Sequence, residues 1–535
     1  MSIEKGKRGK RVAAALSICM ILGIASTAGC GKSADHSDST GNETVQTEAE
    51  TASAASSEQG KQVELKVEVF DRGVMGKLPV DNNYWTQWMQ QNFGDPNNIK
   101  LTFIPVPRSE ETTKLNVLMA SNSAPDIVFT YDWNTLYNYY EGGGIADITD
   151  LVQEYGPNLT AFLGDNLQYG KIDGKQYALP ALSTSPTPTN SYFIRQDWLD
   201  LVGASVPTNP DELYDVLTKI KQELGDSVYP YAMSADNDIP VDIVLSFRDG
   251  NLTKNEFDAY YGNGKATYFA MPGVKEGFRY LNKLYNEGLI SPDFALDKDG
   301  TQKDADIVNG VAGAFRYNQY MIYQDKRVYQ SLNATNPDAR LSIMKPVDSL
   351  IASNPFGIFT FIPESSKVKE EAVKFLDWMS QDDVIHFLQY GEEGVHYEMV
   401  DGYAQDLPDI PSDKKMNVEA NLDYTMLING LRFDTVDEVI KARSYKMLPE
   451  YSEDFYNSVM LSYKDSIKPP FFTIPNKSLL DHQATLAAKD EEMGVKVITA
   501  QPDAFDSVYD SLVDEMLSIG GQQVIDENLE NLENE

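Results

Sequence analysis

Cysteine is almost missing from this chain: Cys19 and Cys30 are the only two among 535 residues. Cys19 lies in an N-terminal apolar run that is expected to be discarded, so disulfides, Cys-ligated zinc and thiol catalysis are excluded. Histidine is nearly as scarce. His36, His386, His396 and His482 are spread along the chain, and no histidine metal site is expected. Basic residues are outnumbered, 45 Lys and Arg against 81 Asp and Glu, for a net charge of −36. A chain this acidic is repelled by phosphate backbones, so nucleic acid is excluded as a partner. Catalytic signatures are missing as well: there is no Gly-x-Ser-x-Gly elbow, no phosphate loop and no His-Glu-x-x-His motif. Glu392, Glu393 and Asp132 could be arranged as a glycosidase carboxylate pair, but so many carboxylates produce such pairs by chance. No enzyme, metal or cofactor is expected.

What is present begins with an address. Lys5, Lys7, Arg8, Lys10 and Arg11 precede an apolar run from Val12 to Ala25, the charged and hydrophobic regions of a signal peptide. The run is short of the roughly 20 residues needed to span a bilayer. It ends in Ser26-Thr-Ala-Gly-Cys30, a small-residue cleavage pattern in which the Cys thiol is acylated and becomes the new N-terminus. Thr27 stands where such sequences usually carry Leu. Residues 1–29 therefore read as a lipoprotein signal, and Cys30 as the palmitoylated anchor on the outer face of the cell membrane. Removing a segment of net +4 leaves the remainder at −40, a charge that favours solubility on an outer surface. Residues 30–62 hold one large aliphatic residue, Val45, and no Phe, Trp or Tyr. They form a tether with a reach on the order of 30 Å.

The remaining residues exceed what one core organises, so two domains are expected. Val63, Leu65, Val67 and Val69 alternate with Glu64, Lys66 and Glu68 as an opening strand, and Trp85, Trp88, Met89 and Phe93 follow at helical spacing. A second strand spans Ile99 to Val106. Asp126-Ile-Val-Phe-Thr130 reads as a buried parallel strand. Strands alternating with helices indicate an α/β lobe with a parallel or mixed sheet. Asp173-Gly174 predicts a hairpin. Asn209, Pro210 and Glu212 predict a capped helix with Leu213, Val216, Leu217 and Ile220 buried. The last long helix, around Phe505 to Met516, is expected to stop at Gly520-Gly521.

An ordered set of segments resembles the family 1 extracellular solute-binding proteins, in particular their larger lipoprotein members from Gram-positive bacteria. It comprises Val106-Pro-Arg-Ser-Glu-Glu-Thr-Thr-Lys-Leu-Asn-Val-Leu-Met-Ala120, Ala124-Pro-Asp-Ile-Val-Phe-Thr-Tyr-Asp132, Gly174-Lys-Gln-Tyr-Ala-Leu-Pro180, Ile194-Arg-Gln-Asp-Trp-Leu-Asp200, Tyr390-Gly-Glu-Glu-Gly-Val-His-Tyr397 and Pro475-Asn476. The resemblance implies an α/β, two-lobed periplasmic-binding-protein-like fold with hinge crossovers. Residues 63–178 and 357–400 would form lobe 1, and 179–356 and 401–535 lobe 2, with crossings near Gln176 to Pro180 and Asn354 to Phe361. It also implies a ligand held between the lobes, a closed form that docks on ABC permease subunits, and action as a monomer. Some members carry a calcium loop, but Gln222 to Tyr231 lacks the alternating oxygen ligands.

Sugars are bound by stacking on aromatic rings and by hydrogen bonds to their hydroxyls. Tyr131, Asp132 and Trp133 follow a strand at the end where parallel sheets place ligands, with an ordinary packed aromatic loop as the alternative. Tyr84 and Trp85 occupy another strand-end position. Tyr192 and Arg195 precede the Asp-Trp-Leu helix, although Arg195 could instead pair with Asp197 or Asp200. Arg316 and Tyr317 end a short apolar strand, with a loop salt bridge as their plain reading. Glu393 and His396 lie in a Gly-flanked turn able to approach a ligand. The expected function is delivery of an oligosaccharide to an ABC permease. A sensor or adhesion lipoprotein, or an importer component for a peptide or other non-sugar solute, remains an alternative.

Overall fold

The computed structural model describes residues 61–73, 78–235, 238–262, 266–324, 327–415, 423–472 and 474–534. The expected signal, the Cys30 anchor and the tether up to Gly60 lie outside the described residues. Among the described residues no helix is long and apolar enough to cross a membrane.

The strands that organise the fold are, in chain order, β1 (Val63–Asp71), β2 (Ile99–Pro107), β3 (Val128–Thr130), β4 (Ala178–Ser183), β5 (Asn190–Arg195), β6 (Tyr231–Ala232), β7 (Ala314–Asn318), β8 (Leu341–Met344), β9 (Phe356–Phe361) and β10 (Ile428–Asn429). In the first lobe β1 pairs with β2 in parallel, from Val63 opposite Ile99 to Asp71 opposite Pro107. A parallel bridge from Val67 to Ile127 brings in β3. Strand β9 then lies antiparallel between β3 and β4, and β10 joins β4 in parallel. The three parallel strands end together at Asp71, Pro107 and Thr130, the edge where such sheets carry ligands.

The alternation in β1 holds for Leu65, Val67 and Val69, all fully buried, but Glu68 is fully buried too. Its expected outward face is a second interior face, beside Glu111 and Tyr139 of the helices Glu111–Ala120 and Trp133–Glu141. One carboxylate oxygen of Glu68 accepts from the Phe129 N–H at 3.0 Å. Burial pushes its pKa up to about 8, so the group is protonated at neutral pH.

The second lobe has the strand order β8-β5-β7-β6. Both faces of this sheet are covered, which explains its apolar runs. Tyr192 and Ile194 enter one core with the helices Pro210–Leu224, Val274–Asn286 and Lys477–Thr499. Phe193 and Phe315 enter another, with Val328–Thr335 and Val436–Ser444.

Local signals translate directly into local structure. Asp173 and Gly174 both take positive φ in a hairpin that pairs Lys171 with Gln176. Asn209 caps its helix by accepting from the Glu212 N–H, while the Glu212 carboxylate receives the Thr208 N–H and hydroxyl, one residue earlier than a capping box requires. Gly520, at φ 121°, breaks the late helix as expected, but the chain resumes as Gln522–Asn534.

The chain crosses between lobes several times. The first crossing is Thr184 to Thr189, a few residues beyond the expected Gln176 to Pro180, because β4 is still paired in the first sheet. Gln319 braces this crossing through Thr187 and Pro188. The return precedes β9, where the Ser353 N–H donates to Thr187 O at 3.1 Å. A third passage follows β10 at Gly430, whose φ is 119°; a Cβ there would lie 2.4 Å from the Thr184 hydroxyl, so glycine lets the two crossings approach. Tyr424, Met426 and Leu427 pack in a first-lobe core, although the sequence reading assigned everything after residue 400 to the second lobe.

Candidate functional site

Where the crossings meet, a cavity of about 340 Å³ opens between the lobes. Its first-lobe wall is Tyr131 to Asn134 with Phe356 and Phe359. Its other side is Tyr261, Ile351, Asn354 and the run Pro469-Pro-Phe-Phe472. Cavities at domain interfaces with mostly apolar walls and a few polar groups are the usual form of small-molecule sites.

The loop after β3 is held from beneath. The buried Glu111 carboxylate accepts the Thr130 hydroxyl at 2.8 Å and the Tyr131 N–H at 3.0 Å, and its other oxygen pairs with Arg108 at 2.8 Å. Asp132 caps the helix Trp133–Glu141, accepting from the Asn134 N–H and the Thr135 hydroxyl. Its carboxylate is therefore partly committed to the fold, with acceptor capacity left over. Phe70 stacks on Tyr131 at 5.7 Å, and the Arg108 guanidinium lies 4.3 Å from the same ring. The Tyr131 hydroxyl is 3.5 Å from Arg72, and burial pushes its pKa up. Trp133 packs against Phe359 at 4.9 Å and Phe471 at 6.0 Å. Phe471 also touches Phe356 and Tyr169, so it inserts into a first-lobe aromatic cluster.

The other sequence candidates divide into three groups, none of which lines this cavity. Tyr84, Trp85 and His396 form a ring cluster with centroids 5.2 to 5.4 Å apart. Trp85 and His396 are buried. His396 Nδ1 accepts the Glu392 N–H at 2.9 Å, and Nε2–H donates to Lys414 O at 2.8 Å. Both ring nitrogens are thus used in pinning a turn, and burial lowers the His396 pKa. The expected ligand role for His396 and Trp85 is replaced by packing. Glu393 is exposed on the same turn, and the Tyr84 hydroxyl instead meets Glu392 at 3.2 Å.

The second group is internal to the second lobe. Tyr192 donates to Asp242 at 3.3 Å, and Arg316 lies 3.5 Å from the same carboxylate. The other Asp242 oxygen accepts the Ile351 N–H at 2.9 Å. Arg316 and Tyr192 thus reach the cavity only through the segment they hold. Arg195 stands at the opposite end of β5 from the crossing; it pairs with Asp197 and covers Trp198, so the salt-bridge alternative is the one realised. The third candidate, Tyr317, donates to Asp304 at 3.1 Å and lines a separate cavity of about 250 Å³ at the crossing end of the second sheet. Asn190, Asn318, Asp238 and Lys303 share that wall.

Sequence reasoning missed Phe471, Tyr261, Asn354 and the Arg72–Asp423 pair. The run Pro469-Pro-Phe-Phe472 was a usable signal, since prolines stiffen a segment that presents aromatic rings. A larger cavity of about 480 Å³ lies between Tyr320, Tyr323, Gln405 and Tyr445. Its lining includes none of the Tyr131 to Asn134 loop.

Comparison with known proteins supports a binding architecture. The polygalacturonan/rhamnogalacturonan-binding protein YtcQ of Bacillus subtilis is 26% identical over 317 residues, 56% of this chain and 61% of that one. Lipoprotein LipO of the same organism is 27% identical over 330 residues, 57% and 62% of the two chains. These matches span about three-fifths of the relatives' own length. The fold is shared with the substrate-binding protein FusA of Streptococcus pneumoniae, solved in complex with kestose, at a TM-score of 0.63 and 15% identity over 88% of this chain and 99% of that one. Residues 79–384 match the family model for bacterial extracellular solute-binding proteins. With a cavity framed by two lobes and their crossings, this chain belongs to the bacterial extracellular solute-binding protein family.

Proposed function

We propose that this protein is the lipid-anchored binding component of an ABC importer, taking an oligosaccharide between its lobes and presenting it to the permease. The observation that carries the reading is the cavity at the crossings, whose lining combines the Trp133 and Phe471 rings, in contact at 6.0 Å, with Asp132, Asn134 and Asn354. Aromatic faces suit the apolar faces of pyranose and furanose rings, and amides and carboxylates suit their hydroxyls. Tyr131, Asp132 and Trp133 are the residues assigned to ligand contact, with Tyr317 a candidate on the second lobe. The names of YtcQ and FusA, each tied to saccharides, support the same class.

Anchoring rests on the Cys30 motif and the name of LipO. It would confine the protein near its permease, where local concentration substitutes for strong docking affinity. Such proteins work by closure rather than catalysis: ligand contacts made by both lobes favour the closed form. Thermal-shift screening of the chain against oligosaccharides, dipeptides and nucleosides tests the assignment. Stabilisation by a saccharide is expected. Stabilisation by dipeptides with silence from every glycan would overturn it.

A further inference from the structure

Three cations near the crossings, Arg72, Arg108 and Lys303, are already occupied by carboxylates. In the first lobe Arg72, directly after β1, makes a two-pronged contact with Asp423, Nε to Oδ2 at 2.7 Å and Nη2 to Oδ1 at 2.6 Å. Arg108, after β2, pairs with Glu111 while lying over Tyr131. These two guanidiniums are the groups in contact with the cavity residue Tyr131 that would otherwise receive a carboxylate. At the crossing end of the second lobe, Lys303 pairs with Asp238 at 2.9 Å, and both side chains are 9% exposed. Asp299 and Asp304 add further negative charge to that wall. Burial pushes the Asp238 and Asp304 carboxyls up, an environment that already resists the charge it holds.

We infer that this cleft takes an uncharged saccharide and rejects uronate-bearing ones, an inference that rests on the carbohydrate reading above. Arg72, Arg108 and Lys303 are each neutralised by a built-in carboxylate. A uronate would have to break an Arg–Asp fork or sit beside surplus aspartates; hydroxyl groups need neither, since carboxylates and amides accept and donate to them directly. Like charges brought together at an interface act as a selectivity device as much as attractive contacts do.

The test is calorimetric titration of the full-length chain with neutral gluco-, manno-, galacto- and fructo-oligosaccharides beside oligogalacturonate and alginate oligomers of equal length. At least one neutral series is expected to bind, with every uronate series about 100-fold weaker or more. A uronate series bound as tightly as the best neutral one, with affinity falling as salt rises, would overturn the inference while leaving the carbohydrate reading intact. Silence from every neutral and acidic glycan would instead remove the carbohydrate reading and this inference with it. Asp423→Ala, checked for folding by circular dichroism, releases Arg72. It is expected to raise uronate affinity about tenfold over the parent chain, and an unchanged uronate affinity in the folded variant contradicts the proposed selection.

Discussion

The two lobes present different chemistry at their crossing ends. The first contributes a wall of rings, Tyr131, Trp133, Phe356 and Phe359, into which the second lobe inserts Phe471. The crossing end of the second sheet is a field of paired charges and amides around Lys303, Asp238, Asn190 and Asn318. The difference follows from construction. First-lobe residues at the cleft come from a strand end running straight into a helix whose first residue is Trp133, so a large ring is fixed by the backbone. Second-lobe residues come from two strand ends, a helix and the Asp238 loop, braced by hydrogen bonds and ion pairs that need polar side chains. Affinity is therefore expected to come mainly from the first wall, and ligand choice mainly from the paired charges.

Removing one partner of the buried Lys303–Asp238 pair should have the largest effect. Asp238→Ala leaves an ammonium buried without its carboxylate, at a cost of about 3–5 kcal/mol of stability, read by urea unfolding. A loss within error of zero would mean that the pair is solvated and the second wall is softer than described. Next comes Trp133→Ala, expected to weaken saccharide binding by about 1–3 kcal/mol in calorimetry. An unchanged dissociation constant with a lowered Tm would make Trp133 a packing residue and erase the distinction between the walls.

The pH response of the first lobe is a third test. The Glu68 carboxyl has its pKa raised to about 8 from an ordinary 4.5, so the folded state holds a proton that the unfolded chain releases. Its contribution to stability is complete below about pH 4.5 and is lost progressively as pH rises through 8. Glu68→Gln should remove that loss, and the Tm advantage of the variant should widen between pH 5 and pH 8. A constant offset would show that Glu68 is ionised in the fold. The smallest effect is expected at Glu393, exposed on the His396 turn. Glu393→Ala should change saccharide affinity and stability by less than about 0.5 kcal/mol. A tenfold loss of affinity would bring that turn into the site.

How much of this was legible in the sequence depended on range. The Asp173-Gly174 hairpin, the Asn209 cap and the burial of Leu213, Val216, Leu217 and Ile220 are governed by residues within a turn or two of each other, and the structure matches them. The place of Tyr131 to Trp133 on a cavity wall follows from the strand end, where parallel sheets expose their loops. Arg195 and His396 misled because their residue types suggest ligand contact, whereas their partners, Asp197 and the Lys414 carbonyl, satisfy them inside the fold. Glu68 misled because alternation distinguishes two faces of a strand but not which layers cover them. The pairings of Phe471 and Asp423 were out of reach: their partners Trp133 and Arg72 lie more than three hundred residues away in the chain.

The most direct measurement is hydrogen–deuterium exchange with and without the saccharide that most raises the Tm. The account predicts protection on both sides of the cleft, in residues 129–134 and 351–356 and in the segment 467–472, together with slowed exchange at the crossing 184–189. Protection confined to one lobe, or centred on the cavity between Tyr320, Tyr323 and Tyr445, would contradict a ligand held between the lobes at the crossings.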